Sequence, residues 1–212
     1  MIPAAISNFL ERNHAKYSLL THPTAVTAQE EAAAAHIPGN KWAKTIVCYA
    51  DGQPILAVVP APYAVDLPRL REAVHARDVR LGKENEFGPL FEDCELGAMP
   101  PLGPLFGQRV FIDKRLATGS EVAFAGGSHH DAIRMSYSEF DRLVHPTVAE
   151  FAGRLSPTSH ATYVIDPVCG ASLREDTVTW RSWHHGDTYY YFCSQRCKME
   201  FDDNPIAYTR GH

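Results

Sequence analysis

Residues 41–60 have the sequence KWAKTIVCYADGQPILAVVP. Two runs rich in β-branched and apolar residues, Thr45–Ala50 and Ile55–Val59, flank Asp51-Gly52, a dipeptide typical of tight hairpin turns. Both runs are almost continuously apolar, so we expect two central strands that are covered on each face. Lys44 precedes the first strand, either as an edge residue whose ammonium reaches solvent or as a cation directed into a cleft.

Composition limits the classes of protein to which the chain can belong. The 212 residues are enough for one medium domain and a small one, and a hydrophobic content of 45% with 21% charged residues is ordinary for a soluble protein. No apolar run reaches the ~18 residues that span a bilayer, and residues 1–11 lack the pattern of a signal peptide. We therefore expect a cytoplasmic protein. The net charge of −5 excludes nucleic-acid binding by bulk charge, so any such contact must be local.

Short helices and strands are predicted around the hairpin. Thr27 and Glu30 form a Thr-x-x-Glu capping box, which predicts a helix through Ala35. Further helices are expected at Ile2–His14, Asp66–Val74, Lys83–Phe91 and Ser136–Val144, the last with Ser138 as a candidate N-cap, and strands at Tyr17–Thr21, Val79–Leu81, Arg109–Asp113, Glu121–Ala125 and Ala132–Met135.

Two segments rich in glycine interrupt this pattern. Residues 94–104, CELGAMPPLGP, are predicted to form a loop because glycine and proline disfavour both helix and central strand. Residues 126–130, GGSHH, are predicted to form a tight loop. Glycine allows the backbone to approach a ligand closely, so each loop is either a binding element or only a connection.

In order and spacing, several segments resemble the YbaK/ProX aminoacyl-tRNA editing superfamily. They are Thr24–Ala35, Ala43-Lys44-Thr45, Leu56–Pro60, Gly97-Ala98-Met99-Pro100-Pro101, and Ala125-Gly126-Gly127 followed by Ala132–Met135. The resemblance covers residues 1–152, which we take as the first domain. It implies an α+β fold with a mixed, barrel-like sheet and surrounding helices. It also implies a deacylase that hydrolyses the ester between a wrong, small amino acid and the tRNA 3′ end, without a cofactor.

The resemblance also implies candidate site residues. Lys44 matches the family's functional lysine, and Gly97 and Pro101 match its Gly-x-x-x-Pro loop, so these three are the candidate catalytic residues. The candidate substrate-binding residues are Thr45, Met99, Gly126, Gly127, Ser128 and His129. Thr45, the double proline Pro100-Pro101 and the pair His129-His130 depart from relatives, which leaves the preferred amino acid open.

Elementary chemistry is compatible with this activity. An aminoacyl ester is already activated, so a cation and fixed backbone dipoles near the reacting carbonyl can suffice. Lys44 can supply the cation, and the backbones of the two glycine loops can supply the dipoles. A splayed 3′ end is the usual form in which single-stranded RNA is bound, and a small pocket selects a side chain by size. No Ser-His-Asp order or His-Glu-x-x-His helix is present.

The C-terminal part resembles a second family, the YHS domain. The matching residues are Asp166-Pro167-Val168-Cys169-Gly170, then Tyr190-Tyr191-Phe192-Cys193-Ser194, and finally Cys197, Phe201, Asn204-Pro205 and Tyr208. A polar, turn-rich segment at residues 153–162 is predicted to be a linker, and residues 163–212 the YHS domain. Five cysteines are present, and three of them fall in this part.

Clustered cysteines in a reducing compartment indicate metal more than disulfides. Cys193 and Cys197 are spaced one helical turn apart, which places their two sulfurs on one face. Cys169 can provide a third thiolate, and three thiolates suit zinc or copper(I). The fourth ligand is His184, His185 or Asp166, and the alternative is that the cysteines are simply buried. Cys48 is expected in the core, and Cys94 remains open.

Two functions remain at this point. The first is a trans-editing hydrolase with an appended metal-binding module. The alternative is a metal-handling or metal-sensing protein whose first domain binds an aminoacyl or nucleotide-like ligand without hydrolysing it. The partners expected are the aminoacylated tRNA 3′ end and a metal ion.

Overall fold

Short helices are interspersed among strands in the part of the chain that this computed structural model describes, residues 2–25, 27–154, 163–174, 178, 180–184 and 188–209. Contacts divide the chain into two units, Met1–Leu155 and Ser156–His212. The helices of the first unit are α1 (Ala4–Arg12), α2 (Ala28–Ala34), α3 (Leu67–Val74), α4 (Glu84–Phe87), α5 (Gly103–Phe106), α6 (Lys114–Ala117) and α7 (Tyr137–Val144). Its strands are β1 (Tyr17–Thr21), β2 (Ala43–Ala50), β3 (Gln53–Pro60), β4 (Tyr63–Val65), β5 (Val79–Leu81), β6 (Arg109–Asp113), β7 (Glu121–Ala125), β8 (Asp131–Ser136), β9 (Thr147–Ala149) and β10 (Ala152–Arg154).

Two larger sheets organise this unit. The first is mixed and has the order β5-β2-β3-β6-β9, with β6 parallel to both β3 and β9. The second is antiparallel, in the order β1-β8-β7, and β4 pairs with β10. An isolated parallel bridge between Trp42, just before β2, and Ala123, in the middle of β7, connects the two larger sheets. The predicted α+β class with a mixed sheet is confirmed, whereas a barrel-like closure of the sheet is not.

The central hairpin forms as the sequence predicts. Its turn has Asp51 at φ 48° and Gly52 at φ 81°, the left-handed conformations that a tight hairpin turn requires. Along the strands, Val47 and Leu56 belong to one apolar cluster, whereas Cys48 and Ala57 belong to the cluster on the opposite face. Both strands are therefore covered on each face, and Cys48 is a core residue as expected.

The helix caps follow local chemistry, with one correction. The Thr27 hydroxyl accepts a hydrogen bond from the Glu30 amide at 3.3 Å, and the Glu30 carboxylate accepts one from the Thr27 amide at 3.0 Å. The predicted capping box is thus confirmed. The N-cap of α7 is Ser136, whose hydroxyl accepts from the Glu139 amide at 3.2 Å, and Ser138 lies inside the first turn. The candidate cap was therefore two residues too late.

Two further expectations are corrected by proline and glycine. The single helix predicted over Lys83–Phe91 is divided into α4 and a 3-10 helix at Gly88–Phe91, because Pro89 cannot donate a backbone hydrogen bond. The predicted loop at residues 94–104 ends earlier than expected, because α5 begins at Gly103 with proline in its first turn, where the missing donor costs nothing.

A buried carboxylate fastens the C-terminal end of the first unit. Asp113 is fully buried and accepts hydrogen bonds from the Phe151 amide at 2.9 Å and the Ala152 amide at 2.7 Å. The Arg115 guanidinium also donates to it at 3.0 Å. Of the predicted linker, Gly153 and Arg154 belong to β10, and residues 155–162 lie outside the described residues.

The second unit is small. Two strand pairs, β11 (Tyr163–Ile165) with β12 (Ser172–Arg174) and β13 (Trp180–His184) with β14 (Thr188–Phe192), precede α8 (Gln195–Asp203) and α9 (Pro205–Thr209). Phe192, Cys197 and Phe201 form its buried apolar cluster. Within the described ranges of the whole chain, no helix is both long enough and apolar enough to cross a membrane.

Candidate functional site

The two glycine loops lie side by side and are joined by their backbones. The Gly127 amide donates to the Ala98 carbonyl at 3.0 Å, and the Glu95 amide donates to the Gly127 carbonyl at 2.9 Å. This reciprocal pair fixes the loop after residue 94 against the loop after residue 126. The structure therefore brings together Gly97 and Gly127, two residues that the sequence separates by two helices and two strands.

Glycine is required in both loops for geometric reasons. Gly97 has φ +93°, and a Cβ added there would lie 3.3 Å from Cε1 of His129. Gly127 has φ +96°, and its added Cβ would lie 2.8 Å from the ring of Pro3. Because any other residue would be strained at such φ values and would also crowd a neighbour, the loops keep their shape only with glycine at these positions.

His129 connects the loops to helix α2. Its Nδ1 lies 3.1 Å from Oε1 of Glu31, and its Nε2 lies 3.0 Å from the carbonyl oxygen of Leu96. Its backbone amide donates to the Glu95 carboxylate at 2.7 Å, and its carbonyl accepts from the Ala25 amide at 3.3 Å. The ring therefore lies against the Gly97 turn and is held on both sides.

The electrostatics of this contact depend on burial. Glu31 is only 3% exposed. Burial raises the pKa of its carboxyl group, and although the hydrogen bond and charge of His129 lower the pKa, the net value lies above the ordinary one. The nearby His22 is also buried, and among the described residues its Nε2 has no hydrogen-bond partner.

Lys44 and Thr45 lie at the start of β2. The Lys44 ammonium is half-buried and donates to the Ala61 carbonyl at 3.4 Å. Thr45 has a buried Oγ1 for which the described part of the chain offers no hydrogen-bond partner. Just upstream, the Trp42 ring meets the ring of His22 edge-on at 6.0 Å, and the His22 amide donates to the carbonyl of His130. The start of β2 is thereby connected to the second glycine loop.

The remaining predicted residues have mainly structural surroundings. Met99 is 5% exposed and packs in the core, and its sulfur accepts from the Gly97 amide at 3.2 Å. Pro101 and Gly126 are buried. The Ser128 hydroxyl donates to the Asp131 carboxylate at 2.9 Å.

Glu31 is the residue of this site that the sequence interpretation did not select. It directly follows Glu30, which belongs to the capping box, so from sequence alone Glu31 looks like a second solvent-exposed acid in the first turn of the helix. Helical spacing contains a signal, however, because Glu31 is three residues after Ala28 and four before Ala35, both of which pack against the apolar cluster. A carboxylate on the apolar face of a helix indicates a buried partner.

Three cysteines and an aspartate converge in the second unit. The sulfur of Cys193 lies 3.5 Å from that of Cys169 and 3.7 Å from that of Cys197. One ligand atom from each cysteine and from Asp166 lies within 4.8 Å of the others. Cys193 precedes the N-cap Ser194 of α8, and Cys197 lies in the helix. The side chain of His184 and all of His185 lie outside the described residues.

Asp166 braces this cluster through its backbone contacts. Its buried carboxylate accepts from the Val168 amide at 2.9 Å and from the Cys193 amide at 2.8 Å. The carboxylate also contacts the thiol of Cys193 and, together with the neighbouring thiols, raises its pKa to about 12. The Cys193 thiol therefore stays protonated without a cation, and a bound metal ion would favour its thiolate form, because metal ions stabilise thiolates.

Comparisons with known families match the two units separately. The profile of the aminoacyl-tRNA editing domain matches residues 22–143, which is more than half of the chain. The profile of the YHS domain matches residues 164–211. No curated protein sequence matches the chain significantly.

Solved structures share the fold of the first unit. A candidate trans-editing enzyme for prolyl tRNA synthetase is 23% identical, with a TM-score of 0.61, and the match covers 72% of this chain and 99% of that one. A designed scaffold for presenting linear epitopes is 24% identical with a TM-score of 0.63, covering 73% and 100%. A candidate signal transduction protein from Marinobacter aquaeolei VT8 is 19% identical with a TM-score of 0.59, covering 75% and 32%.

Proposed function

This chain belongs to the aminoacyl-tRNA editing domain family and carries a YHS domain, and we propose that its first unit hydrolyses the ester of tRNA mischarged with a small amino acid. The observation that carries this proposal is the pair of glycine loops, joined by reciprocal backbone hydrogen bonds around Gly97. Such a rigid turn can aim backbone dipoles at a reacting carbonyl.

Lys44 and Gly97 have the principal roles in this proposal. The Gly97 amide donates to a thioether sulfur, which is a weak acceptor, so it can turn to the stronger oxyanion that develops during ester hydrolysis. The Lys44 ammonium contacts the Ala61 carbonyl at 3.4 Å. We assign it to a phosphate of the tRNA 3′ end, because a phosphate attracts an ammonium more strongly than a neutral carbonyl does.

We assign substrate selection to the residues next to Lys44 and in the two glycine loops. The buried hydroxyl of Thr45 is available to the amino group or carbonyl of a small aminoacyl moiety. Met99 limits the depth of the loop because its side chain fills the core beneath it. Pro101 holds the loop backbone, and Gly126, Gly127 and Ser128 shape the second loop. The expected partner is the 3′ end of aminoacylated tRNA, in the cytoplasm.

The test is deacylation of a panel of tRNAs mischarged with small amino acids, with Lys44→Ala compared with wild type. We expect wild type to hydrolyse at least one member and Lys44→Ala to lose on the order of 100-fold in kcat/KM. The matched control is Lys41→Ala, because Lys41 is three residues away and forms a partly buried ion pair with Glu121 at 2.7 Å. Equal rates for Lys44→Ala and wild type would contradict the role of Lys44.

We further propose that the second unit binds zinc or copper(I) through Cys169, Cys193 and Cys197. The sulfur separations support this, because thiolates 2.3 Å from a tetrahedral zinc lie about 3.8 Å apart. Since both carboxylate oxygens of Asp166 already accept backbone hydrogen bonds, its main contribution is to position the cysteines. A metal here would stabilise a unit that has little apolar core.

Metal content distinguishes this proposal from plain burial of thiols. We expect the purified full chain to hold one equivalent of metal, measured by elemental analysis. The double variant Cys193→Ser with Cys197→Ser is expected to lose it, and Cys94→Ser, in the first unit, to retain it. Metal-free wild type that melts like the double variant would contradict the site. A metal-handling protein without hydrolytic activity remains the alternative, favoured if metal binds but no tRNA is deacylated.

A further inference from the structure

The contacts of His129 raise a question about where its protons lie. Its two ring nitrogens face the Glu31 carboxyl group at 3.1 Å and the Leu96 carbonyl at 3.0 Å. Both of these are normally acceptors of hydrogen bonds. The ring is 16% exposed and Glu31 is 3% exposed, so solvent contributes little to satisfying either group.

Counting protons leaves few arrangements. A backbone carbonyl can only accept, so Nε2 must carry the hydrogen that points to Leu96. A neutral imidazole then has a lone pair on Nδ1, which would repel the lone pairs of an ionised Glu31. The contact is favourable only if one further proton lies between them. That proton resides either on Nδ1, as imidazolium with carboxylate, or on Glu31, as carboxylic acid with neutral imidazole.

We propose that Glu31 is a positioning residue: it shares one proton with His129, whose opposite nitrogen holds the Leu96 carbonyl and thereby fixes the Gly97 turn. The proposal deepens the proposed hydrolysis and rests on it for its catalytic consequence. The part of the proposal that concerns the geometry of the Gly97 turn can be tested whether or not the protein hydrolyses tRNA. His129, with both nitrogens engaged by the protein, acts as a clamp and not as a general base.

The ring of His129 packs directly against the Gly97 turn. A Cβ on Gly97 would lie 3.3 Å from Cε1 and 3.6 Å from Nε2 of His129, so the edge of the ring rests on the Gly97 backbone. The hydrogen bonds at the two nitrogens fix the orientation of the ring. When the bond to Glu31 is lost, the ring can rotate, and the turn that carries the Gly97 amide loses its support.

The charged surroundings favour retention of the shared proton. Burial raises the pKa of Glu31, as does the carboxylate of Glu30 on the same helix. His22, which precedes α2, lowers it. On the other side, the Glu95 carboxylate accepts the backbone amide of His129 and places a second negative charge near the ring. The neighbouring His130 is exposed and contacts the Thr24 hydroxyl at 3.1 Å.

The experiment is nitrogen-15 NMR of the full chain labelled at histidine and glycine. We expect the Nε2 proton of His129 to be present and protected from exchange with solvent, because the Leu96 carbonyl accepts it. His130, whose ring is exposed, is the internal control, and its ring protons should exchange freely. The signals of His130 are assigned with His130→Gln. A wild-type His129 whose Nε2 proton is absent, or exchanges as fast as the ring protons of His130, would overturn the shared proton.

Two variants separate the proton from the carboxyl group. In Glu31→Gln, the amide can donate to Nδ1, so the ring keeps its Nε2 proton and the Gly97 amide signal stays in place. In Glu31→Ala, which preserves helix propensity, the ring is released, its Nε2 proton exchanges with solvent as fast as the ring protons of His130, and the Gly97 signal shifts. Unchanged ring and Gly97 signals in Glu31→Ala would refute the positioning role.

Deacylation adds a second readout. We expect kcat/KM to fall on the order of 10- to 100-fold in Glu31→Ala, as for a misplaced catalytic group, and to be largely restored in Glu31→Gln. If the NMR results are as expected but no form of the protein deacylates tRNA, the proposed function fails and the clamp stands. If wild type deacylates and Glu31→Ala is equally active, the positioning role fails and the proposed function stands.

Discussion

Gly97→Ala tests the packing of the first glycine loop. The residue has φ +93°, a conformation that costs a residue with a Cβ about 1–2 kcal/mol. The new Cβ would also lie 3.3 Å from Cε1 of His129, closer than the ~3.5–4.0 Å of an ordinary carbon contact. Because the ring is held at both nitrogens, its displacement adds roughly 1 kcal/mol. We therefore expect Gly97→Ala to lower the free energy of unfolding by about 2–3 kcal/mol in total.

Gly52→Ala provides the matched control. Gly52 lies in the hairpin turn at φ +81°, and an added Cβ there would have no neighbour within 4 Å. This variant should therefore show only the backbone cost of about 1–2 kcal/mol. The difference between the two variants isolates the contact with His129. The assay is urea unfolding of the full chain, followed through the amide NMR signals of buried first-unit residues such as Val58 and Phe124.

A double-mutant comparison completes the test. In a His129→Ala background the ring is absent, so Gly97→Ala and Gly52→Ala should have equal costs. The reasoning is refuted if Gly97→Ala is no more destabilising than Gly52→Ala in the parent protein, or if its excess cost persists without the ring. We also expect Gly97→Ala to reduce deacylation, while Gly52→Ala leaves it unchanged.

Other predictions concern burial. Asp113→Asn should lower the free energy of unfolding by about 3 kcal/mol, because buried hydrogen bonds to a charge are lost. In the same urea titration Glu150→Gln, at an exposed ion pair, should change it far less. Burial raises the pKa of Asp113, but its hydrogen bonds lower it more, to below the unfolded value. Its stabilisation is therefore present above pH ~4 and lost as pH falls through the folded pKa, so acid melts should lose this increment in wild type and not in Asp113→Asn. Thr45→Val removes a buried hydroxyl that has no partner among the described residues, so it should keep or raise Tm. It should also lower kcat/KM for deacylation about 10-fold. An unchanged kcat/KM would exclude a contact between this hydroxyl and the substrate. In Gly103→Ala the new Cβ would lie 2.3 Å from a carbonyl oxygen and from a valine methyl. We expect this variant to express poorly or to lose more than roughly 3 kcal/mol of unfolding free energy, as in severe overpacking. A variant that melts at the wild-type temperature would contradict this packing.

Much of the fold follows from short stretches of sequence. The Asp51-Gly52 turn and the apolar runs beside it predict the hairpin and its burial on both faces. The capping box at Thr27 predicts the start of α2, and the bounds of Val79–Leu81, Arg109–Asp113 and Glu121–Ala125 coincide with β5, β6 and β7. These features depend on neighbours within a few residues, where turn chemistry, capping and periodicity act directly.

Other elements needed the tertiary structure. The strands β4, β9 and β10 were not predicted from sequence, and each is paired with a strand that is distant along the chain. Likewise, Ser136 and Ser138 are chemically equivalent candidates for the same cap. Only the path of the chain from β8 into α7 decides that the first of them accepts the hydrogen bond.

By itself, the sequence determined the two-family organisation, the central hairpin, the two glycine loops and the three clustered cysteines of the second unit. Only the tertiary structure decided that Glu31 meets His129 across 98 positions, that the same ring holds Leu96, and that Asp166 braces the cysteines through their backbone. The physical reason is that local propensity specifies conformation within a few residues, whereas a buried polar contact is specified by groups that meet only when distant segments pack and leave water.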